Sequence, residues 1–259
     1  MTRSEIYWID SHCHLDLAVF NPDRTRVLEH ALKLGVRRLI IPAITRTGWP
    51  RLLELCQTSS ALYPALGLHP MFQEQHTEED LKTLEQALGD QAVVAIGEIG
   101  LDFHKPIPDP LIQQHFFHRQ LAIASHAGLP VLLHVRKAHD TVLGILRKAG
   151  ICGGIVHAFN GSLQQARQYI DLGFKLGFGG MLTLPQSRKL QQLARTLPVS
   201  ALVLETDAPD LSGVGHQGLR NSPEFLPEYG YFMARLRQLE PSTLSRVTRE
   251  NTCDVLGLS

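Results

Sequence analysis

A (β/α)8 TIM barrel, an α/β fold, is predicted by three observations on this 259-residue sequence. Short β-rich runs alternate with longer segments of helical period, the pattern of parallel strands joined by right-handed crossover helices. Eight such runs are present, enough to close a barrel, and the length suits one core, so residues 1–259 are expected to form a single domain. No Gly-x-Gly-x-x-Gly marks the alternative, an open doubly wound sheet.

The first run is Ile6-Tyr7-Trp8-Ile9. A helix is expected from Asn21-Pro22-Asp23, which supply an N-cap, a first-turn proline and an acid at the positive end of the helix dipole. Val27, Leu28, Ala31 and Leu34 form its apolar stripe, Gly35 ends it, and residues 36–41 are strand two. Trp49, Leu52, Leu53 and Cys56 mark the next helical face, and strand three, residues 63–68, ends at His69-Pro70. Thr77-Glu78-Glu79-Asp80 resembles a capping box with Asp in the Glu position, ahead of Leu81, Leu84 and Leu88 at helical spacing.

Strand four, residues 92–96, leads into Gly97-Glu98-Ile99-Gly100-Leu101-Asp102. Asp109-Pro110 caps a helix reaching Ala127, which Gly128 and Pro130 stop before strand five, residues 131–134. Strand six, residues 154–157, precedes a capping box at Ser162-Leu163-Gln164-Gln165. Residues 175–178 are strand seven and residues 201–207 strand eight. A long loop, 208–221, then leads to a helix start at Ser222-Pro223-Glu224 and a final helix after Pro241.

Apolar residues make up 44% of the chain and charged residues 19%, which excludes the disordered class. The formal net charge is zero, so any contact with DNA or RNA must come from a local patch and not from a basic surface. Met1-Thr2-Arg3-Ser4-Glu5 lacks the apolar core of a signal peptide and no run reaches membrane-spanning length. A cytoplasmic protein without membrane contact is therefore expected, with a monomer as the default. Cys13, Cys56, Cys152 and Cys253 form no Cys-x-x-Cys pair, so four reduced, mostly buried thiols are expected.

The ionisable residues supply the chemistry. In Asp10-Ser11-His12-Cys13-His14, alternation turns both imidazoles to one spot and Cys13 the other way; Asp10 and Cys13 are expected to point away from the metals and are assigned no chemistry. His69 ends strand three, Glu98 follows strand four, and His134, His157 and Asp207 end strands five, six and eight. In a barrel these ends converge on the mouth where active sites lie. His30, His76, His115, His118, His126 and His139 fall elsewhere and are read as surface or partly buried residues without function. Four histidines with two carboxylates suit a pair of divalent cations, one carboxylate being able to bridge them, and such a pair activates water for hydrolysis. Zn, Mn, Mg, Ni and Co all fit this donor set.

Six ordered segments then resemble the signatures of the TatD family of metal-dependent deoxyribonucleases. They are Ile9-Asp10-Ser11-His12-Cys13-His14, Gly67-Leu68-His69-Pro70, Gly97-Glu98-Ile99-Gly100-Leu101-Asp102, His134-Val135-Arg136, His157-Ala158-Phe159-Asn160-Gly161 and Leu204-Glu205-Thr206-Asp207-Ala208-Pro209. The resemblance implies that His12, His14 and Asp207 hold one metal, that His134 and His157 hold the other, and that Glu98 bridges both. Glu98 and Asp207 are then the catalytic carboxylates, with Asp207 taking or orienting the proton of the attacking water. His69 would be a substrate-facing residue or a support for the ligands, and Arg136 a phosphate contact, each against a purely structural reading.

The activity implied is hydrolysis of phosphodiester bonds from the 3′ end of DNA, possibly single-stranded. The alternative is a barrel metallohydrolase acting on another ester, a lactone or an amide. A non-catalytic scaffold would show a broken ligand set, and none of the six positions is broken. Asp102 could orient a ligand or cap the next segment, Glu205 points inward with Asp207, and Phe72, Phe103 and Phe159 could stack bases at the mouth or pack loops.

Overall fold

The computed structural model describes residues 6–90, 93–104 and 109–258. Eight parallel strands lie side by side in chain order: β1 (Trp8–Asp10), β2 (Val36–Pro42), β3 (Leu62–Leu66), β4 (Ala95–Asp102), β5 (Val131–Arg136), β6 (Gly154–Val156), β7 (Phe174–Phe178) and β8 (Leu202–Leu204). Between them run α1 (Arg24–Lys33), α2 (Trp49–Gln57), α3 (Glu78–Asp90), α4 (Pro110–Ala127), α5 (His139–Ala149), α6 (Leu163–Asp171) and α7 (Arg188–Thr196). After β8 come α8 (Leu226–Arg237) and α9 (Pro241–Leu256).

The sheet nearly closes on itself. Ser11 N donates to Leu204 O at 3.0 Å, Asp207 N to His12 O at 2.9 Å and His14 N to Ala208 O at 2.8 Å. Three of the expected site residues therefore belong to the seam between β1 and β8. Asp10 locks that seam from beneath: fully buried, it accepts from Thr206 N at 2.8 Å, Thr206 Oγ1 at 2.6 Å and His12 N at 3.3 Å. Thr206→Val removes one of these donors and leaves a buried carboxylate oxygen unpartnered. We expect a loss of about 1–3 kcal/mol, read as a lower urea midpoint. An unchanged midpoint would show that the seam does not depend on this pair.

Ile40, Ala65, Ala95, Leu132, Ile155 and Val203, one from each of six strands, form a buried cluster of their own, with Leu256 of α9 against it. This is the layer that fills the barrel, and it decides what lies above it. Alternation along a strand turns His134 to the same side as Leu132, His157 as Ile155, Glu205 as Val203 and His69 as Ala65. β4 departs from this rule. Glu98 stands three residues after Ala95 and would face outward, but the β4–β5 register shifts between Ile96 and Ile99, which re-aims the strand and brings Glu98 inside.

Several element limits differ from expectation. α1 starts at Arg24, and Asp23 makes no capping bond because its carboxylate is taken by Arg26 and Arg220, each at 2.7 Å. The start expected for strand four at Ala92 lies outside the described residues, and the strand runs on to Asp102, so Glu98 is inside it. β8 stops at Leu204, and Glu205–Asp207 form the loop that carries the seam. Ser222-Pro223-Glu224 opens one 3-10 turn, Pro223–Phe225, ahead of α8. Both capping boxes form, Thr77 with Asp80 and Ser162 with Gln165. All four cysteines are free thiols, but Cys13 alone is buried, Cys152 being exposed and the other two half-buried. Among the described residues no helix is long and apolar enough to cross a membrane.

Candidate metal centre

The structure brings His12, His14, Glu98, His134, His157 and Asp207 together at the C-terminal mouth of the barrel. Glu98, 1% exposed, sits in the middle with its two oxygens facing opposite ways. Oε2 lies 3.1 Å from His12 Nε2 and 3.3 Å from His14 Nε2. Oε1 lies 3.1 Å from His134 Nδ1 and 2.8 Å from His157 Nε2. Asp207 Oδ1 completes the first side, 3.6 Å from His12 and 3.7 Å from His14.

Hydrogen bonds around the rim fix which ring nitrogens are bare. His14 Nδ1 is 3.1 Å from Pro42 O, which only accepts, so the proton is on Nδ1 and Nε2 turns a lone pair inward. His134 Nε2 donates to Asp102 Oδ2 at 2.9 Å, so its Nδ1 is the inward lone pair. A carboxylate or carbonyl behind an imidazole is the arrangement that orients metal-ligating histidines. The inward nitrogens crowd in pairs, His12 with His14 and His134 with His157, both at 3.2 Å. Paired acceptors this close need a shared proton or a cation, and this donor set suits divalent ions.

His69 behaves differently. Its Nδ1 accepts from Met71 N at 3.1 Å, which leaves the proton on Nε2, 3.1 Å from Glu98 Oε1. With Nδ1 taken by the Met71 amide, His69 sets its protonated Nε2 beside the carboxylate and offers no lone pair to a metal. Burial holds its pKa down to about 4, consistent with a neutral ring. Arg136 is exposed at the end of β5 and lines the cleft beside the cluster. Asp102 is in place behind His134, and its amide N bonds to Gln113 Oε1 at 2.9 Å. Asp102→Asn is expected to weaken metal binding about 10- to 100-fold, measured by titration of the stripped protein. Unchanged affinity would remove Asp102 from the centre.

Electrostatics favour cation uptake. Burial opposes the charge on Glu98, but His69, His157 and His12 around it hold its pKa well below the usual carboxylate value. Burial likewise opposes protonation of His14 and His157, yet Glu98 and Asp207 outweigh it and raise them to about 9 and about 10 without metal. Incoming cations must displace those protons. Metal uptake should therefore release protons, and apparent affinity should rise as pH climbs from neutrality toward about 9. Calorimetry in buffers of different ionisation enthalpy checks this; binding without proton release would contradict it.

Two supporting groups have no motif in the sequence. Asn221, fully buried, donates from Nδ2 to Thr206 O and Asp210 O, both at 2.7 Å, and its Oδ1 accepts from Tyr229 OH at 2.8 Å. It ties the loop on both sides of Asp207, whose φ of 56° departs from strand geometry. His76 Nε2 donates to His69 O at 2.9 Å and props the turn that carries His69. Glu205 is buried, accepts from Ala158 N, and packs where a Cβ on Gly177 would lie 2.1 Å from its Oε2. Gly177 is thus required for close approach. Phe159 is 1% exposed against His139 and Tyr169, and packs its loop without offering a face to bases. Phe72 stands edge-on to His69 with ring centres 5.7 Å apart, and Phe103 is half-buried against the core.

Comparison with known proteins identifies the family. A family model described as TatD related DNase matches residues 9–257. The chain is 39% identical over 248 residues to an uncharacterized metal-dependent hydrolase, YjjV, of Escherichia coli K12, covering 95% of this chain and 96% of that one. It is 33% identical over 244 residues to the uncharacterized metal-dependent hydrolase YabD of Bacillus subtilis, covering 93% and 96%. The crystal structure of the TatD homologue YjjV from Escherichia coli superposes with a TM-score of 0.94 at 38% identity, covering 97% of this chain and 98% of that one. A TatD family hydrolase from Entamoeba histolytica shares the fold at a TM-score of 0.84, 21% identity and 99% and 100% coverage. With a barrel mouth that gathers six ligand-type side chains and a match along almost its whole length, this chain belongs to the TatD family of metal-dependent hydrolases.

Proposed function

We propose that the protein is a two-metal phosphodiesterase that removes nucleotides from the 3′ end of single-stranded DNA. The observation that carries this reading is Glu98, whose two oxygens each face a separate pair of histidines. His12, His14 and Asp207 would hold one divalent ion, His134 and His157 the other, and Glu98 would bridge them. A pair of ions held so supplies Lewis acidity and an acidified water.

The chain's own groups do the rest. Asp207, raised in pKa by burial, takes the proton of the attacking water. His69 holds Glu98 in its bridging orientation through the Nε2 proton. Arg136, at the edge of the cleft, can bind the scissile phosphate through a bidentate contact. The deoxyribonuclease part of the reading draws support from the family description.

Its test is release of label from 3′-labelled single-stranded DNA by metal-stripped protein restored with Mg, Mn or Zn, with Asp207→Ala as control. Metal-dependent shortening that is absent in the control is expected. Protein that binds the ions but leaves the DNA intact would overturn the nuclease reading.

A further inference from the structure

We propose that the cleft beside the metal centre is a pocket for one uncharged nucleobase, so that the protein recognises the terminal nucleotide of its substrate and not a length of strand. This rests on the phosphodiesterase reading above. The cleft, about 520 Å³, extends from His134, His157 and Asp207 to a wall of Met181, Leu182, Leu190 and Leu211. That volume is in the range of small-molecule pockets.

Charge argues the same way. Among the described residues lining the cleft Arg136 is the only arginine or lysine, whereas Glu205, Asp207 and Asp210 are acidic. A groove that tracks a single strand sets a cation near each successive phosphate and aromatic faces against successive bases. Here the exposed Arg136 stands beside the metal centre, Lys189 is turned to the rim where it donates to Asn160 O at 2.9 Å, and the next phosphate along the wall would meet the exposed Asp210. The aromatic rings of the lining, Phe159 at 1% and Phe178 at 2% exposure, are packed into the core. The wall therefore offers aliphatic contact to one apolar body and little to a chain of anions.

The pocket wall is braced by its own hydrogen bonds. Thr183 Oγ1 donates to Gly180 O at 2.7 Å and accepts from Val214 N at 2.8 Å, while Gly213 N donates to Tyr229 OH at 3.2 Å. The Val214 bond joins the turn bearing Met181 and Leu182 to the loop bearing Leu211, and the Tyr229 bond ties that loop to α8. A preformed pocket binds its occupant without ordering a loop.

The test uses metal-loaded protein and oligothymidylates of 3, 4, 8 and 16 nucleotides, with a matched series ending in a 3′ abasic residue. We expect kcat/KM per 3′ end to stay within about threefold across the lengths. Its logarithm should fall against log salt with a slope near −0.7, the value for about one neutralised phosphate on a single strand. The abasic terminus should lower kcat/KM about tenfold or more, as loss of one base's apolar contact with the wall does. Met181→Asp should raise KM about tenfold for the natural terminus with metal content intact. Cleavage that strengthens at least tenfold with length, a slope of −3 or steeper, or indifference to the missing base would overturn this inference alone. No cleavage at any length removes the phosphodiesterase reading and this inference with it.

Discussion

Glu98→Gln is expected to lose both ion positions together and, with them, on the order of 10³-fold or more of the hydrolytic rate. The substitution keeps the shape of the side chain but removes its charge and turns one oxygen into an amide donor. Each Glu98 oxygen faces its own histidine pair, so in either orientation the amide N–H hydrogens occupy inward lone pairs that an ion would need, and the charge that draws both ions is gone. An amide nitrogen in the Oε1 position would also lie 3.1 Å from His69 Nε2, donor against donor. The expected sign is therefore a joint loss, seen as metal content falling from two per chain toward none in equilibrium dialysis. Retention of two ions with full activity would refute the bridge.

Asp207→Asn should separate metal holding from proton transfer. Asp207 reaches the His12 and His14 side at 3.6 and 3.7 Å and lies 3.8 Å from His157 Nδ1, so it would touch the first proposed ion position most directly. An amide cannot accept the proton of an attacking water, and losing a general base costs about 10²- to 10⁴-fold. We expect kcat to drop by that amount, with the His134 and His157 position still filled and the other weakened. If kcat is restored in full by raising the metal concentration, Asp207 serves as a ligand without taking a proton.

Much of this arrangement is legible in the sequence, for a geometric reason. Strand alternation and the convergence of strand ends in a barrel place His69, His134, His157 and Glu205 without knowledge of contacts, since each keeps phase with an apolar residue of the inner layer. His12 and His14 follow from the same rule, and Cys13 turns into the core as that rule requires. Glu98 does not follow from it. Its inward aim depends on the register shift in β4, which comes from pairing with β5 and leaves no trace in local periodicity. Asp207 likewise lies beyond β8, in a loop whose path is set by Asn221, 14 positions away along the chain, and by Asp10 across the seam.

The proton of His69 is set by the amide of Met71, a contact that no local pattern in the sequence marks. Asn221 and His76 act through backbone carbonyls, a job for which the residue type alone carries no signal. Of the two readings of Phe159, stacking bases or packing its loop, the structure shows the second, because a ring between His139 and Tyr169 gains more from burial than from an open mouth. α1 began later than its Asn-Pro-Asp start suggested because Asp23 is drawn into ion pairs with Arg26 and Arg220.

The most direct measurement is anomalous diffraction from crystals of the protein loaded with Mn or Zn. The account predicts two peaks roughly 3.5–4 Å apart, one within bonding distance of Glu98 Oε2, His12, His14 and Asp207, the other of Glu98 Oε1, His134 and His157. A single peak, or two peaks with Glu98 bound to one of them only, would contradict it.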